Sequence, residues 1–415
     1  MEKHILKIEK LDHSGRGIAH LHDKIVFIPY TLVDEVVEVE IVREKKSWME
    51  GRMIQILESS EKRIKPTCPY YDVCGGCDVM HMSYQDQIVW KEKKVKEIMQ
   101  KFAGLSPSIV SHLIPCEQEK NYRNKLVLQV QDDIGFFEKR SHQLVKIEAC
   151  QISDERMNEV LRTIRSHIPL MNVHQIMIRA SKNTDDIMVV FDVSKSFIIE
   201  DVVSILKDKV SSIIMKQNHK YKTVFGKDDI VEKLNGVSFQ IAPDAFFQVN
   251  TKQTEKLYQT VKDAFVLSRD DVVLDLYCGT GTIGIFLAPF VKQVIGVEVN
   301  AQAIESAKKN QELDKVSNIE WKLGKVEDVI PALQVNPNVV IVDPPRSGLD
   351  VKTIERIKAW NVEKVVYVSC DPVTLARDLK MLQEKYDVVK IVPVDMFPQT
   401  KHVECVASLH LKNKV

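Results

Sequence analysis

Short apolar runs alternate with longer mixed stretches over the last third of the chain. The runs are rich in β-branched residues and have the length of buried strands in a parallel sheet. The stretches between them have helical character, except that a short connection joins the last two runs. This alternation predicts a doubly wound α/β sheet that ends in a hairpin. The predicted strands lie at 272–277, 293–299, 319–323, 338–342, 364–369, 387–394 and 403–411.

The first 58 residues have a different pattern, with short strand-like runs at 25–28, 35–42 and 51–57. Apolar and polar residues alternate over 36–42, which is typical of a half-buried strand. Several short strands in so short a segment predict a small β-barrel of the OB kind, a fold that often binds oligonucleotides. A generic small barrel that binds a protein is the alternative interpretation.

The region between these two patterns is mixed. Apolar residues recur at helical spacing from Tyr84 to Phe102, which predicts a packed helix with a basic outer face. Short apolar runs and turn residues over 115–250 predict an α+β region. We therefore predict three domains, at 1–58, 59–250 and 251–415.

Composition and charge narrow the class of protein. The 415 residues are 44% hydrophobic and 28% charged, as in ordinary soluble globular proteins. No apolar run approaches the roughly 18 residues of a membrane-spanning helix, and the start of the chain lacks the features of a signal peptide. These observations predict a cytoplasmic protein. Lys plus Arg number 58 and Asp plus Glu number 58, so an RNA partner would have to bind through local patches and base contacts.

Eight cysteines in such a chain indicate metal binding or catalysis rather than disulfides. Cys68, Cys74 and Cys77 have C-x5-C-x2-C spacing, which lets three thiolates face one centre. Zinc and an iron–sulfur cluster both require four ligands of this kind. Cys116 and Cys150 are both available as the fourth ligand. The spacing decides neither between these two cysteines nor between the two metals.

Reactive side chains are found near the ends of three predicted strands. Cys370 ends one apolar run, Asp343 and Arg346 follow another, and Glu404 lies at the last strand. Open α/β sheets bind their ligands at the carboxyl ends of the strands. A single cysteine in such a position is more often a buried structural residue. A thiol, two carboxylates and an arginine that converge on one sheet edge instead favour a reaction site.

A glycine-rich turn follows the first strand of the carboxyl-terminal domain. The turn, at 279–284, has the form G-x-G-x-x-G, and Glu298 lies at the end of the next strand. The turn brings backbone close to a ligand, and the carboxylate can accept hydrogen bonds from two ribose hydroxyls. This pattern predicts an adenosine-containing cofactor and, taken alone, would also suit NAD. The residues from Asp275 to Cys278 and the Asp-Pro-Pro motif at Asp343 instead resemble S-adenosylmethionine-dependent methyltransferases.

Five motifs occur in a fixed order along the chain: AFFQVN at 245–250, DLYCGTG at 275–281, DPPRSG at 343–348, SCDP at 369–372 and HVE at 402–404. Together they resemble the bacterial RNA uracil-C5 methyltransferase family, especially its 23S rRNA branch. The resemblance covers nearly the whole chain. It includes an amino-terminal barrel like the TRAM domain and a cysteine motif like that of the family's [4Fe–4S] site.

The resemblance implies roles for individual residues. Cys370 matches the nucleophile that adds to C6 of uracil, and Glu404 matches the base that removes the C5 proton. Arg346 is expected to position the substrate or to order its loop. The residues that match cofactor contacts are Gln248, Tyr277, Glu298 and Asp343. Those that match the cluster ligands are Cys68, Cys74, Cys77 and Cys150, whereas Cys116, Cys278 and Cys405 match no catalytic or ligand position.

The resemblance also implies the partner. We expect a uridine of 23S rRNA in a single-stranded or loop region, extruded into the pocket, with the barrel and the central domain holding the RNA. No membrane and no obligate protein partner is implied. The alternatives are the same chemistry on tRNA, methylation of cytosine C5, or an RNA-binding iron–sulfur regulatory protein. The motifs at Asp343 and Glu404 favour uracil over cytosine, and the presence of both Cys370 and Glu404 disfavours a regulator.

Overall fold

The computed structural model of the protein describes residues 3–139, 141–194, 199–333 and 335–412. The chain forms two compact units, and neither is continuous in sequence. The first contains the chain up to Lys94 together with 136–147 and 397–402, and the second contains 95–135, 148–396 and the chain from Val403. Because these units are defined by compactness, they do not test the three predicted domain boundaries, which stay predictions.

The amino-terminal part of the first unit is a six-stranded sheet with the order β1-β5-β6-β4-β3-β2. Its neighbours are antiparallel except for the parallel pair β4 and β6. The alternation in the sequence places Val37 and Val39 of β5 inward, where both are fully buried in an apolar cluster. The elements are β1 Lys3–Lys7, β2 Lys10–Leu11, β3 Gly17–Leu21, β4 Lys24–Ile28, β5 Val36–Glu44, β6 Trp48–Glu58 and helix α1 Tyr84–Ile98.

A helix was predicted from Tyr84 to Phe102, but only its first part is an α-helix. α1 ends at Ile98 and is followed by a π-helical turn, Met99–Ala103. Gly104 ends this turn with φ of 67°, in the left-handed region that glycine adopts without strain. The apolar spacing in the sequence therefore continues through a local change in hydrogen bonding.

The central region is α+β, as predicted. Its main sheet includes the order β13-β12-β11-β10-β7-β8, and β14 and β15 form a separate hairpin. The strands are β7 Lys125–Val130, β8 Ile134–Phe137, β9 Leu144–Lys146, β10 Val173–Ala180, β11 Ile187–Val193, β12 Ser212–Gln217, β13 Lys220–Gly226, β14 Ile230–Leu234 and β15 Val237–Ile241. The helices are α2 Glu155–His167 and α3 Ile199–Leu206.

The carboxyl-terminal region contains a seven-stranded sheet with the order β18-β17-β16-β19-β20-β22-β21. Strands β16 to β20 are parallel, and β22 runs antiparallel to both of its neighbours. The strands are β16 Val272–Leu276, β17 Gln293–Glu298, β18 Ile319–Leu323, β19 Val339–Val342, β20 Lys364–Ser369, β21 Tyr386–Val394 and β22 Glu404–Leu411. The helices are α4 Thr251–Asp263, α5 Thr282–Leu287, α6 Ala301–Leu313, α7 Val326–Val329, α8 Val351–Trp360 and α9 Pro372–Leu382.

This sheet confirms the predicted doubly wound α/β fold with a terminal hairpin. All four residues of β19 are buried, as are the last five of β20. Parallel strands covered on both faces have no solvent side, so they leave continuous apolar runs in the sequence. Each predicted strand in this region is present within one residue at either end.

Helix caps fix where the chain turns away from the sheet. The Asp371 carboxylate accepts the amide of Val373 at 2.8 Å, and Pro372 is the first residue of α9. Asp350 caps α8 in the same way by accepting the amide of Thr353. An aspartate cap followed by proline stops the strand and starts the helix at once. Cys370, between β20 and the cap, is therefore held at the end of the strand.

Two glycines leave the space in which the Trp321 indole packs against the sheet. A Cβ atom on Gly296 in β17 would lie 2.3 Å from the ring, and one on Gly281 in the glycine-rich turn would lie 2.5 Å from it. The indole N–H donates to Gln311 Oε1 at 2.6 Å, which fixes the ring. The glycine-rich turn is thus packed down on the sheet. Among the described residues, no helix is both long and apolar enough to cross a membrane.

Candidate active site

Residues from neighbouring strands meet at one edge of the carboxyl-terminal sheet. Glu298 ends β17, and Tyr277, Asp343 and Cys370 follow β16, β19 and β20, which lie side by side or one strand apart. Because β22 runs in the opposite direction, its first residue, Glu404, lies at the same edge. The sheet therefore brings these five sequence-predicted residues to one side.

Cys370 and Glu404 are cross-strand neighbours. Ser369 of β20 pairs with Cys405 of β22, so the next position along β20 faces Glu404. Directly opposed residues in an antiparallel pair have Cβ atoms about 5 Å apart. The thiol and the carboxyl group are therefore close enough to act on one bound ring.

The surroundings of Cys370 favour the neutral thiol. Burial is the main cause that raises the pKa of Cys370 to about 11, and the negative charge of Glu404 adds to it. The charges of Asp343 and Asp371 act in the same direction, whereas the guanidinium of Arg346 lowers the pKa. At neutral pH the thiol must therefore lose its proton during the reaction before it can act as a nucleophile.

Glu404 is poised for proton transfer. Only 4% of its surface is exposed, and burial, followed by the charge of Asp343, raises the pKa of Glu404 to about 8. Arg346 opposes this shift. A pKa close to the working pH suits a general base because the group can both take up and release a proton.

Two further carboxyl groups lie in this part of the sheet. Burial raises the pKa of Asp343 to about 7. Burial, and then the charge of Asp343, raises the pKa of Asp275 in β16 to about 8. The Gly284 amide partly offsets this shift, but neither carboxyl oxygen of Asp275 has a hydrogen bond of normal geometry to another described residue. Buried polar atoms without a partner are rare and mark sites that await a ligand or a proton.

Asp275 lies in one of the sequence motifs but was not predicted as a site residue. The signal was present as a single acidic residue inside the apolar run of β16. An aspartate is seldom fully buried unless it is paired.

The glycine-rich turn and Glu298 form an open cradle. The amide of Gly279 donates to Glu298 Oε2 at 3.1 Å, and the amide of Asn300 donates to Oε1 at 2.8 Å. Gly279 has φ of 53°, and nothing lies within 4 Å of the place where its Cβ would stand. The carboxylate is thus held by backbone while its remaining lone pairs can accept ribose hydroxyls. These residues fit the adenosine part of S-adenosylmethionine.

Tyr277 takes an unusual backbone conformation beside this cradle. Its φ is 62°, in the left-handed region that non-glycine residues rarely adopt and that often marks functional sites. Its hydroxyl lies 3.4 Å from Thr353 Oγ1 of α8. The ring borders a cleft of about 560 Å³, which is also lined by Ser347, Asp350 and Arg377. This volume lies in the range of small-molecule sites.

Gln248 is placed by the segment between β15 and α4. Its backbone carbonyl accepts the Asn124 side-chain amide at 3.1 Å. Phe247 beside it is buried against Phe239, with ring centroids 6.1 Å apart. Among the described residues, no hydrogen bond or ion pair joins the Gln248 side chain to Glu298 or Asp343. The predicted cofactor contact of Gln248 therefore stays a prediction.

A buried carboxylate holds the loop that carries Arg346. Asp378 of α9 is fully buried, and its Oδ2 accepts the amide of Leu349 at 2.8 Å and the hydroxyl of Tyr367 at 2.7 Å. Arg377 donates to the carbonyl of Ser347 at 2.9 Å. This clamp was not predicted, because no local sequence pattern indicates that residues on α9 and β20 contact a loop after β19.

The cysteine motif lies in the first unit, with Cys68, Cys74 and Cys77 partly exposed. Burial raises the pKa of Cys68 and of Cys74, and the charge of Cys68 adds to the shift of Cys74. In the described part of the chain, no three His, Cys, Asp or Glu side chains are grouped so that they could hold a metal ion. The side-chain geometry therefore does not support the predicted [4Fe–4S] site.

The other two candidate ligands belong to the second unit. The backbone amide of Cys150 donates to Asn158 Oδ1 at 2.9 Å. Cys116 is buried, and its thiol donates to the carbonyl of Gln118 at 3.1 Å and lies 3.4 Å from the donating Asn250 side chain.

Comparison with known proteins agrees with this architecture. Residues 83–412 match the sequence model of the tRNA (uracil-5-)-methyltransferase family, and residues 5–54 match the TRAM domain. An RNA methyltransferase of Oceanobacillus iheyensis is 37% identical, over 99% of this chain and 97% of its own. One of Staphylococcus aureus is 36% identical, over 97% and 96%. The structure of Pyrococcus abyssi tRNA (uracil-54, C5)-methyltransferase with S-adenosyl-L-homocysteine has a TM-score of 0.79 and 30% identity, covering 98% of this chain and 99% of that one.

The fold and the cofactor cradle define an S-adenosylmethionine-dependent methyltransferase. The chain belongs to the RNA uracil-C5 methyltransferase family and carries an amino-terminal TRAM domain. The predicted family and fold class are thereby confirmed, and S-adenosylmethionine and RNA are supported as cofactor and substrate class.

The buried carboxyl group of Asp275 predicts a pH-dependent stability. Its folded-state pKa of about 8 lies above the ordinary value of 3.8, so folding retains this proton as the pH rises. The stability that protonated Asp275 contributes is present below about pH 4 and is lost progressively up to about pH 8. We expect Asp275→Asn, without cofactor, to melt at least about 5 °C above the wild type at pH 8 but close to it at pH 4.

Thermal melts between pH 4 and pH 9 test this expectation. Asp270 is exposed and lies two residues before β16. Asp270→Asn is the matched control and should melt like the wild type at each pH. A difference in melting temperature between Asp275→Asn and the wild type that does not change with pH would contradict the raised pKa of Asp275.

Proposed function

We propose that the protein methylates C5 of a uridine in 23S rRNA, with Cys370 as the nucleophile and Glu404 as the base. The observation that carries the proposal is the cross-strand placement of these two residues, fixed by the pairing of Ser369 with Cys405. Arg346 and Asp343 influence the charge of both side chains, so the four form one electrostatic unit.

The first step activates the uracil ring. The Cys370 thiolate forms a bond to C6, and the electrons of the C5–C6 double bond move to the carbonyl at C4 as an enolate. A soft thiolate suits this addition because it can later leave again. Arg346 assists by favouring the thiolate, since it lowers the pKa of Cys370 against the effect of burial.

The enolate carbon C5 then takes the methyl group, which bound S-adenosylmethionine supplies. In this proposal Glu298 holds the ribose, and Gln248, Tyr277 and Asp343 complete the cofactor contacts. The backbone amides that donate to both Glu298 oxygens support its assignment, because they hold the carboxylate in one orientation. Asp343 lies between the cofactor cradle and the Cys370–Glu404 pair in the strand order.

Elimination completes the reaction. The Glu404 carboxylate removes the proton from C5, the C5–C6 double bond re-forms and the bond from C6 to Cys370 breaks. The thiolate is regenerated, and the proton remains on Glu404 until it is released to solvent. The raised pKa of Glu404 supports this role because it makes the carboxylate a stronger base than an exposed glutamate.

The proposed RNA partner is 23S rRNA, in which the TRAM domain and the central region would hold a single-stranded or loop uridine that is flipped out of its stack. The same chemistry on a tRNA uridine is the second candidate. It is favoured by the 30% identity to an archaeal enzyme whose name specifies uracil-54 of tRNA. We further propose a cytoplasmic location, since both RNA classes occur there.

The [4Fe–4S] cluster on Cys68, Cys74, Cys77 and Cys150 is also retained as a proposal. It is supported by the C-x5-C-x2-C spacing. No step of the reaction is assigned to it.

Glu404→Gln is expected to trap the covalent intermediate. Addition and methyl transfer do not require the carboxylate, but without it the C5 proton stays and Cys370 cannot leave. Incubated with S-adenosylmethionine and rRNA, this variant should form a protein–RNA species that survives a denaturing gel, while its turnover falls at least about 100-fold. Cys370→Ala should show neither adduct nor turnover.

Lys390 is exposed and offers a control position, and Lys390→Ala should turn over normally with no more adduct than the wild type. Full turnover by Cys370→Ala, or no adduct with Glu404→Gln on any uridine-containing RNA, would refute the covalent mechanism.

Deletion of the gene should remove 5-methyluridine from 23S rRNA at the target and leave tRNA unchanged. Mass spectrometry of nuclease digests from both RNA classes measures this directly. Loss of the modified nucleoside from tRNA alone would overturn the rRNA assignment in favour of the second candidate.

Protein purified without oxygen is expected to be brown and to contain about four iron atoms per chain, as a [4Fe–4S] cluster requires. Cys77→Ser should lose the colour, whereas Cys405→Ser should keep it. Colourless protein that contains zinc or no metal would refute the cluster.

A further inference from the structure

Glu404 follows a segment that belongs to the first compact unit. Residues 397–402 pack with the amino-terminal part of the chain, and Glu404 begins β22 two residues later. Glu404 pairs with Val394 of β21, and the chain enters β22 directly from this segment.

A reciprocal amide pair fixes the segment to α1. The Gln87 side-chain amide donates to Gln399 Oε1 at 2.9 Å, and the backbone amide of Gln399 donates to Gln87 Oε1, also at 2.9 Å. Both residues are buried, with 0% and 3% of their surfaces exposed. Gln399 has φ of 68°, so the pair also holds a strained backbone conformation. The Gln87 side-chain amide also donates to the carbonyl of Met82 at 3.0 Å, and breaking either bond to Gln399 would remove a partner from a buried polar group, which is unfavourable.

Two lysines of α1 hold the same segment by charge-assisted bonds. Lys91, which is fully buried, donates to the carbonyl of Phe397 at 3.0 Å. Lys94, one turn further along α1, donates to the carbonyl of Lys401 at 2.7 Å. Hydrogen bonds from an ammonium group are stronger than neutral ones. Gln87, Lys91 and Lys94 lie on one face of the helix at the spacing that this requires.

The cysteine-bearing segment holds 399–401 from another side. The backbone amides of Asp78 and Val79 both donate to the carbonyl of Gln399, at 2.9 and 3.1 Å. The Asp78 carboxylate accepts the amide of Lys401 at 3.3 Å, and its other oxygen binds Lys139 at 2.6 Å. Asp78 directly follows Cys77 in the chain.

We propose that Gln87, Lys94 and Asp78 are positioning residues for the proton abstraction by Glu404. They act through residues 397–402, and the cysteine-bearing segment takes part through Asp78. The proposal rests on the proposed function, in which Glu404 is the base. Cys370 lies on a different strand, so addition and methyl transfer do not depend on this segment in the same way. Disturbing the segment should therefore slow elimination more than the earlier steps.

A purely structural role makes a different prediction. If these contacts only stabilised the fold, their loss would lower the amount of active enzyme and leave the ratio of adduct to product unchanged. A misplaced base instead raises that ratio, because the intermediate forms at the normal rate and decays slowly. The ratio is thus a readout that stability alone does not move.

Gln87→Met tests the proposal with little change in side-chain volume. We expect the fraction of enzyme trapped as covalent adduct during turnover to rise at least about fivefold over the wild type, with a similar fall in kcat and little change in KM. The measurement uses the whole protein, S-adenosylmethionine and 23S rRNA, the substrate proposed above. Denaturing gels measure the adduct. Gln85→Met, an exposed glutamine on the same helix, is the matched control and should behave as the wild type.

Lys94→Met and Asp78→Ala provide further tests if Gln87→Met does not fold. Each removes one hydrogen-bonding group that holds the segment, and each should raise the adduct fraction in the same direction. Folded variants at all three positions with a normal adduct fraction would overturn the proposal. If Glu404→Gln traps the adduct and none of these variants does, only the positioning role is wrong. If Glu404→Gln traps none, the proposed function and this inference both fail.

Discussion

The antiparallel pairing of β22 with β20 is the constraint on which the rest of the site depends. In a wholly parallel sheet, the first residue of β22 would lie at the opposite edge from Cys370. The reversed strand instead brings Glu404 beside the thiol through the pairing of Ser369 with Cys405. β21 ends at the same edge, where Val394 pairs with Glu404, so the connection between β21 and β22 closes a hairpin there.

Burial at that edge keeps several acidic groups close to neutrality. Asp275, Asp343 and Glu404 have pKa values raised to between about 7 and 8, so their charges are coupled and cannot all be present at low energy. Arg346 opposes this trend for Glu404 and Cys370. The loop that carries it is tied down by the buried carboxylate of Asp378. Electrostatics and loop geometry therefore depend on each other.

The sequence predicted the strands of the carboxyl-terminal sheet well because buried parallel strands leave continuous apolar runs. The rule that ligands bind at the carboxyl ends of such strands then led to Cys370, Asp343 and Glu298. The Asp378 clamp and the Gln87–Gln399 pair were not predictable in this way. Their partners are far apart in the sequence and leave no local pattern. Asp275 did leave a signal, as a single acidic residue in an apolar run, but its lack of a hydrogen-bond partner among the described residues becomes visible only in the folded chain.

The discontinuous first unit has a consequence for how the protein is made. Its last segment, 397–402, is synthesised only after residues 148–396 of the second unit. Until then, Lys91 lacks its hydrogen bond to the carbonyl of Phe397, and Gln87 lacks both of its hydrogen bonds with Gln399. Domains that fold during synthesis usually do so from the amino terminus. Here the first unit cannot complete its contacts with residues 397–402 until those residues have been made, immediately before Glu404.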